Sequence, residues 1–435
     1  MPVKKGLLIV LVTGAILLAV GSGSTYARPS DSISIATVSE PYLGEEIVVS
    51  ALDNGQHLPS VAYNSNHDEY LVVWHNQWGA NRDIYAQRID GRGRLLSWFA
   101  VGPTAPLTPY PNDRVQPSVA YDPVNDRYLV VWAYDTSGNG SNWDIHGIMV
   151  DWNGPIQGLH HSTICDWSTQ QSSPKVAYSA DKEEFMIVWW TDHPSVPGYI
   201  SGRRMTASNG AFPGNDSDFT ISHTTEVRAN PEISYNSLQN EYLVVYDNSE
   251  DIFGTRFSET GASLPGGEFA IAAWVGAETL PSVAYCSEND EYLVAWQNPQ
   301  PDIYARFIDA DGSLDGGPLH LDYTSVDEIK PEVACSQAGS QFLVTWQQQY
   351  SSATGPYGIQ GQFVNTDKTL GTVFGIMAPT SGVTAEFTTP AIAGGRVNFL
   401  TAWEHDRAGS SFQDIHGRLV TPHTVYLPLI LSNHP

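Results

Sequence analysis

Residues Pro59 to Leu95 read PSVAYNSNHDEYLVVWHNQWGANRDIYAQRIDGRGRL, and most of the chain is this stretch again. Its opening proline returns at Pro117, Pro174, Pro231, Pro281, Pro331 and Pro390, each followed at the next-but-one place by Val or Ile. The intervals run from 50 to 59 residues, which gives seven copies. The second apolar run follows as Tyr70–Trp74, Tyr128–Trp132, Phe185–Trp189, Tyr242–Tyr246, Tyr292–Trp296, Phe342–Trp346 and Phe399–Trp403. A third begins at Asp83, Asp144, Asp251, Asp302 and Asp414, with Tyr199 and Gly358 in the other copies. Regular self-similarity of this period signals a repeat architecture.

Runs of four to eight residues rich in Val, Ile, Tyr and Trp, separated by Gly, Asn, Asp and Ser, read as strands and turns. YLVVW is apolar at consecutive positions, so both faces of that strand must be covered, which calls for stacked antiparallel sheets. A weaker fourth run follows six of the units, for example Trp98–Val101, Ser162–Cys165 and Val373–Ile376. Four strands per radially stacked repeat describe a propeller blade. The seventh copy ends near Val420 without a fourth run, while a similar run, Glu46–Ser50, precedes the first copy. The expectation is an all-β, seven-bladed β-propeller of four-stranded antiparallel blades. Its ring is closed by an N-terminal strand joining the last blade, which leaves no free sheet edge.

The 435 residues then divide into 1–27, a signal peptide, 28–44, a polar leader, 45–420, the propeller, and 421–435, a C-terminal tail. Lys4 and Lys5, an apolar segment from Gly6 to Val20 and small residues before Arg28 have the layout of a secretory signal. The segment is short for a membrane span. The tail's VYLPLIL departs from the repeats and reads either as a strand docked on the last blade or as a sorting tag.

With 21 basic against 47 acidic side chains, the formal net charge is −26. Such a surface repels nucleic acid and anionic membranes and favours solubility and cation binding. Three cysteines are an odd number for an exported chain. Cys286 and Cys335 lie one residue out of phase in neighbouring copies, which turns them toward each other and permits a disulfide; buried free thiols are the other reading.

Up-and-down order places the first-to-second and third-to-fourth turns on one face of the ring, and these are short and regular. The second-to-third and blade-to-blade loops share the other face and vary in length, so this variable face is the candidate binding site. Six of the thirteen tryptophans end the second run and read as packing. Trp78, Trp143 and Trp190 in second-to-third loops, and Trp167 and Trp274 in blade-to-blade loops, do not recur. Aromatic rings beside Asp, Asn and Gln suit stacking and hydrogen bonding to a glycan or an extended peptide.

The recurring Asp and the recurring Arg88, Arg204 and Arg256 read as architecture, since a repeated residue repeats its structural role. Asp309, Asp311, Gly312 and Asp315 have some of the look of a calcium loop, but lack the full spacing, and turn chemistry accounts for them. Apart from that calcium possibility, no cofactor or metal is expected. The non-recurring polar clusters are His160-His161, Asp192-His193, His223 and Glu404-His405-Asp406. His193, Glu404, His405 and Asp406 are the weak catalytic candidates, although neighbours in a strand point opposite ways.

The repeats resemble the tandem YLVVW…DIYGxR repeats of large, mostly uncharacterised secreted bacterial proteins, over nearly the whole chain after the signal. That resemblance implies a propeller and says little of activity. Sialidase-like propellers carry S-x-D-x-G-x-T-W; Ser287-Glu288-Asn289-Asp290 ahead of Trp296 echoes it only loosely, so no catalytic residue carries over. The expected protein is a secreted or envelope-associated monomer. It binds a glycan or extracellular protein, with no nucleic acid partner and no membrane insertion once the signal is removed. The alternatives are a polysaccharide-degrading enzyme and a structural envelope protein.

Overall fold

The computed structural model describes residues 41–422 except 80, 102–111, 156–161, 214–217, 223–225, 275, 323, 338–340, 351–354, 380–385 and 407–411, with the backbone of 8–12 and 15–19. The remainder of the signal segment, most of the leader, the VYLPLIL tail, His160, His161 and His223 lie outside the described residues. Leu8–Val12 and Ala15–Ala19 pair with each other. All other strands belong to the unit Ser39–His423.

The second strand of each repeat shows why both of its faces had to be apolar. In Glu69–Trp78, Tyr70, Val72 and Trp74 enter a core shared with the last blade. Leu71 and Val73 enter one shared with Val119, Val130 and Trp132 of the second blade. Each strand-two residue therefore glues its own blade to one neighbour or the other. The six repeated tryptophans are at most 1% exposed. Truncating such a side chain costs about 3–5 kcal/mol.

The blades carry their strands in simple order. The first is Gln56–Asn64, Glu69–Trp78, Asn81–Asp90 and Leu95–Val101, all antiparallel. The following ones start with inner strands Arg114–Asp122, Gln170–Ser179, Ala229–Asn236, Thr279–Cys286, Glu328–Cys335 and Phe387–Gly394. Seven sheets result, and no α-helix occurs among the described residues. The last blade takes its outer strand from the other end of the chain. Ile47–Ser50 pairs with Gln413–Thr421 in the register Ile415↔Ser50 and Gly417↔Ile47. Tyr42–Leu43 continues along the same edge.

Every inner strand contains the same irregularity. The residue before each repeated proline has positive φ: Leu58, Gln116, Ser173, Asn230, Leu280, Lys330 and Thr389, all between 49° and 55°. At this point the pairing with strand two skips two residues, as between His57 and Ser60. Proline fits the bulge because it has no N–H to lose from the ladder. In five blades the freed N–H of the preceding residue is captured by a side chain of the previous blade. Glu404 accepts it from Leu58 at 2.9 Å, Asp247 from Leu280 at 3.0 Å and Gln347 from Thr389 at 2.9 Å. Where the second blade has Ala133, which cannot accept, Gln116 does so from Ser173 at 2.9 Å.

The repeated Arg residues are architectural, as their recurrence implies: Arg88, Arg204 and Arg256 pair with Glu69, Glu184 and Glu241 at the start of strand two. Cys286 and Cys335 form a disulfide between the fifth and sixth inner strands, with Cα atoms 5.6 Å apart. Cys165 is a free, buried thiol, and burial pushes its pKa up.

Candidate ligand-binding face

The described loop of blade two shows how polar side chains order this face. In the long second-to-third loop of blade two, Asp135 accepts N–H bonds from Ser137 at 3.1 Å, Gly138 at 3.0 Å and Gly140 at 2.7 Å. Gly138 and Gly140 both have positive φ, which the loop requires at those points. The loop is thereby a fixed platform, and Trp143 at its end donates its indole N–H to the Gly140 carbonyl at 3.2 Å.

The five non-repeating tryptophans divide by environment. Trp78, at the tip of the first blade's hairpin, is 41% exposed, Trp167 is 39% exposed and Trp274 is 43% exposed. Trp274 presents its ring edge to Tyr304 at 5.1 Å, a contact that fixes its orientation while leaving surface free. Trp143 is half-buried over its loop. Trp190 turns inward, packed against the core that contains Ile200 and Tyr242, and its indole sits where a Cβ on Gly198 would come within 2.6 Å. Among the described residues, none of these five rings contacts another of the five.

The weak catalytic candidates make separate contacts. Glu404 accepts from Leu58 N–H and lies 3.2 Å from His57 Nδ1, at the seam between the last and first blades. His405, on the opposite side of that strand, stacks on Phe387 and lies 3.0 Å from His416 Nε2. His416 Nδ1 in turn meets Glu46 Oε1 at 2.6 Å, a contact that ties the closing strand to the blade. Asp406 is paired in register with Gln413. His193 lies in the third blade's hairpin and accepts from Ser195 N–H at 3.2 Å.

The ring axis holds polar groups that sequence reading passed over. A cavity of about 420 Å³ is lined by the seven bulge prolines and the residues flanking them. Lys175 pairs with Glu232, and Ser282 Oγ donates to Glu332 at 3.1 Å. Burial, with the charge of Glu232 added, pushes Glu332 up to about 7. Because the residue after each repeated proline varies from Ser to Lys to Glu to Ala, only ring closure brings these groups to one place.

Several carboxylates near the loop face are buried rather than presented. Burial pushes Asp144, 4% exposed, up to about 6. The completely buried Glu328 is pushed up to about 7 by burial, with Asp322 and Asp302 adding to the shift. A group so enclosed cannot meet a polymeric substrate.

Seven closed four-stranded blades with short turns on one face and variable loops on the other make this chain a seven-bladed β-propeller. No family model and no curated protein matches its sequence. The solved structure of the polysaccharide lyase Uly1 aligns with 88% of this chain and 100% of its own, at 10% identity and a TM-score of 0.53. A protein of unknown function from Dyadobacter fermentans aligns with 89% of this chain and 100% of its own, at 11% identity and a TM-score of 0.52. A mutant NanB sialidase from Streptococcus pneumoniae aligns with 86% of this chain and 70% of its own, at 9% identity and a TM-score of 0.47. At such identities the likeness speaks for the fold alone. No helix among the described residues is long and apolar enough to cross a membrane.

Proposed function

We propose that this protein is a secreted or envelope-associated propeller that binds a glycan on its variable face without transforming it. The observation that carries this reading is the contrast between two sets of tryptophans. The repeated ones are at most 1% exposed, whereas Trp78, Trp167 and Trp274 on the loop face keep 39% to 43% of their surface in water. Exposed indoles on rigid elements are stacking platforms for the apolar faces of sugar rings, and the surrounding Asn, Asp and Gln supply hydrogen bonds. With a net charge of −26, neutral polysaccharides are better partners than polyanionic ones. Glu404 is engaged across the seam between the last and first blades and His405 is packed within the last blade, which favours binding over catalysis. The signal-like layout before Arg28 supports export.

The test is affinity electrophoresis against a panel of neutral and acidic polysaccharides, using the wild type and Trp78→Ala, Trp167→Ala and Trp274→Ala. Retardation by a neutral polymer is expected. Each substitution should weaken it by about tenfold, or ~1.4 kcal/mol. Trp98→Ala serves as the control, since that exposed indole lies on an outer strand instead of a loop. Binding that survives the triple variant would remove the site, and steady cleavage of a polymer by the wild type would overturn the non-catalytic reading.

A further inference from the structure

The residue that begins strand two and the residue of strand three opposite strand two's third position form a matched pair in six blades. Blade one has Glu69 with Arg88, blade three Glu184 with Arg204 and blade four Glu241 with Arg256. Where the strand-three member is apolar, the strand-two member is not an acid. Arg127 goes with Met149, Gln341 with Phe363, and Asn398 with Leu419, in the same registers. The rule is physical: a carboxylate at this position is largely buried and needs a cation beside it.

Blade five breaks the rule. Its third strand reads DIYARFID where blade one reads DIYAQRID, so the arginine arrives one residue early. Leu293 is consequently opposite Phe307, whereas Leu71 is opposite Arg88 and Leu243 is opposite Arg256. Arg306 points away and gives its N–H groups to the carbonyls of Ile271 at 3.0 Å and Gly316 at 2.8 Å. Glu291 stays in the acid position, only 9% exposed, with its Oε2 buried and without a hydrogen-bond partner.

Two further carboxylates lie beside that of Glu291. Asp309 comes from the end of strand three and Asp315 from the outer strand, and the ligand oxygens of Glu291, Asp309 and Asp315 lie within 4.8 Å of one another. Lys368 of the sixth blade pairs with Asp315 and lies 5.8 Å from the Phe307 ring centre. One ammonium against three carboxylates leaves two negative charges where three other blades place a guanidinium. Asp311, which sequence reading grouped with Asp309 in a loop, is not part of the set; it caps its own turn by accepting from Ser313 N–H at 2.9 Å.

We propose that Glu291, Asp309 and Asp315 bind one calcium ion, which replaces the arginine missing from blade five. An all-carboxylate set suits a hard cation. Oxygens around one calcium, at about 2.4 Å each, span up to about 4.8 Å. The site lies on the tight-turn face and is independent of the glycan reading.

Isothermal titration of chelator-treated protein with calcium, paired with thermal unfolding, tests this. One site per chain and a rise of several degrees in Tm are expected, with magnesium much weaker. Glu291→Gln and the more exposed Asp315→Asn should each abolish the heat and the shift, while Glu69→Gln leaves both intact. Lys368→Met should tighten binding severalfold by removing the competing ammonium. Absence of calcium binding in both the wild type and Lys368→Met would overturn the proposal, as would a calcium shift that persists in Asp315→Asn and in Glu291→Gln.

Discussion

Glu328 has no exposed surface, accepts from Thr324 Oγ1 on one oxygen and has no partner for the other. Burial pushes it up to about 7, so the folded protein holds a proton there that the unfolded chain releases near pH 4.3. A raised carboxyl contributes stability that is complete below the unfolded pKa and disappears as pH rises through the folded one. Glu328→Gln cannot ionise. It should match wild type in urea unfolding near pH 4 and exceed it by about 3 kcal/mol at pH 8. Equal stabilities at pH 8 would show that the carboxyl is already ionised and paired. His75 sets the opposite limit. Burial, with His57 and Arg82 adding repulsion, pushes it down to about 3, so stability falls with pH from the unfolded value near 6.5 downward. Together these two groups place maximum stability in mildly acidic solution.

The inner strand is the element that makes a ring from seven sheets. Its bulge puts a left-handed residue before proline in every blade, a conformation that costs of order 1–3 kcal/mol and persists only where the surroundings enforce it. In five blades the neighbour's side chain holds the freed N–H, so those bulges are also joints between blades. Glu404 performs this service where the last blade meets the first. Glu404→Ala leaves that N–H unmade and should destabilise by about 1–3 kcal/mol in urea unfolding. Glu404→Gln should recover most of the loss, because its amide oxygen can still accept. Loss of glycan binding without loss of stability would return Glu404 to the functional candidates.

At the scale of the molecule, closure is the decisive event. Ile47 and Val49 complete the core shared by the first and last blades, and their strand covers the edge of Gln413–Thr421. Deleting residues 28–50 exposes that edge and opens the core. The expected result is a large drop in Tm and higher-order species on size-exclusion chromatography, since an unpaired long strand recruits others. A monomer of unchanged Tm would mean that the ring is held without its closing strand. The disulfide between blades five and six braces a second joint, by a covalent bond that shortens the unfolded chain's freedom.

Much of this architecture could be read from local patterns. Blade number follows from seven prolines, both-face burial of strand two from the unbroken apolar run of YLVVW, and the closing strand from a fourth run misplaced to the front. These are periodic or nearest-neighbour properties, which one chain displays in order. The separation of Trp190, packed inward, from Trp78, Trp167 and Trp274, left in water, was not legible. Contrary to the loop placement expected for them, Trp190 lies inside the strand Glu184–His193 and Trp78 ends Glu69–Trp78, while Trp167 and Trp274 lie in blade-to-blade loops; only the strand register and the neighbouring blade decide which ring is covered. The axial cluster of Lys175, Glu232 and Glu332 and the carboxylates of Glu291, Asp309 and Asp315 needed tertiary structure for the same reason. Repetition in the sequence determined the ring, because every copy obeys the same local rule. Where single copies depart from that rule, the chemistry depends on which blades become neighbours when the ring closes, and that only the folded molecule decides.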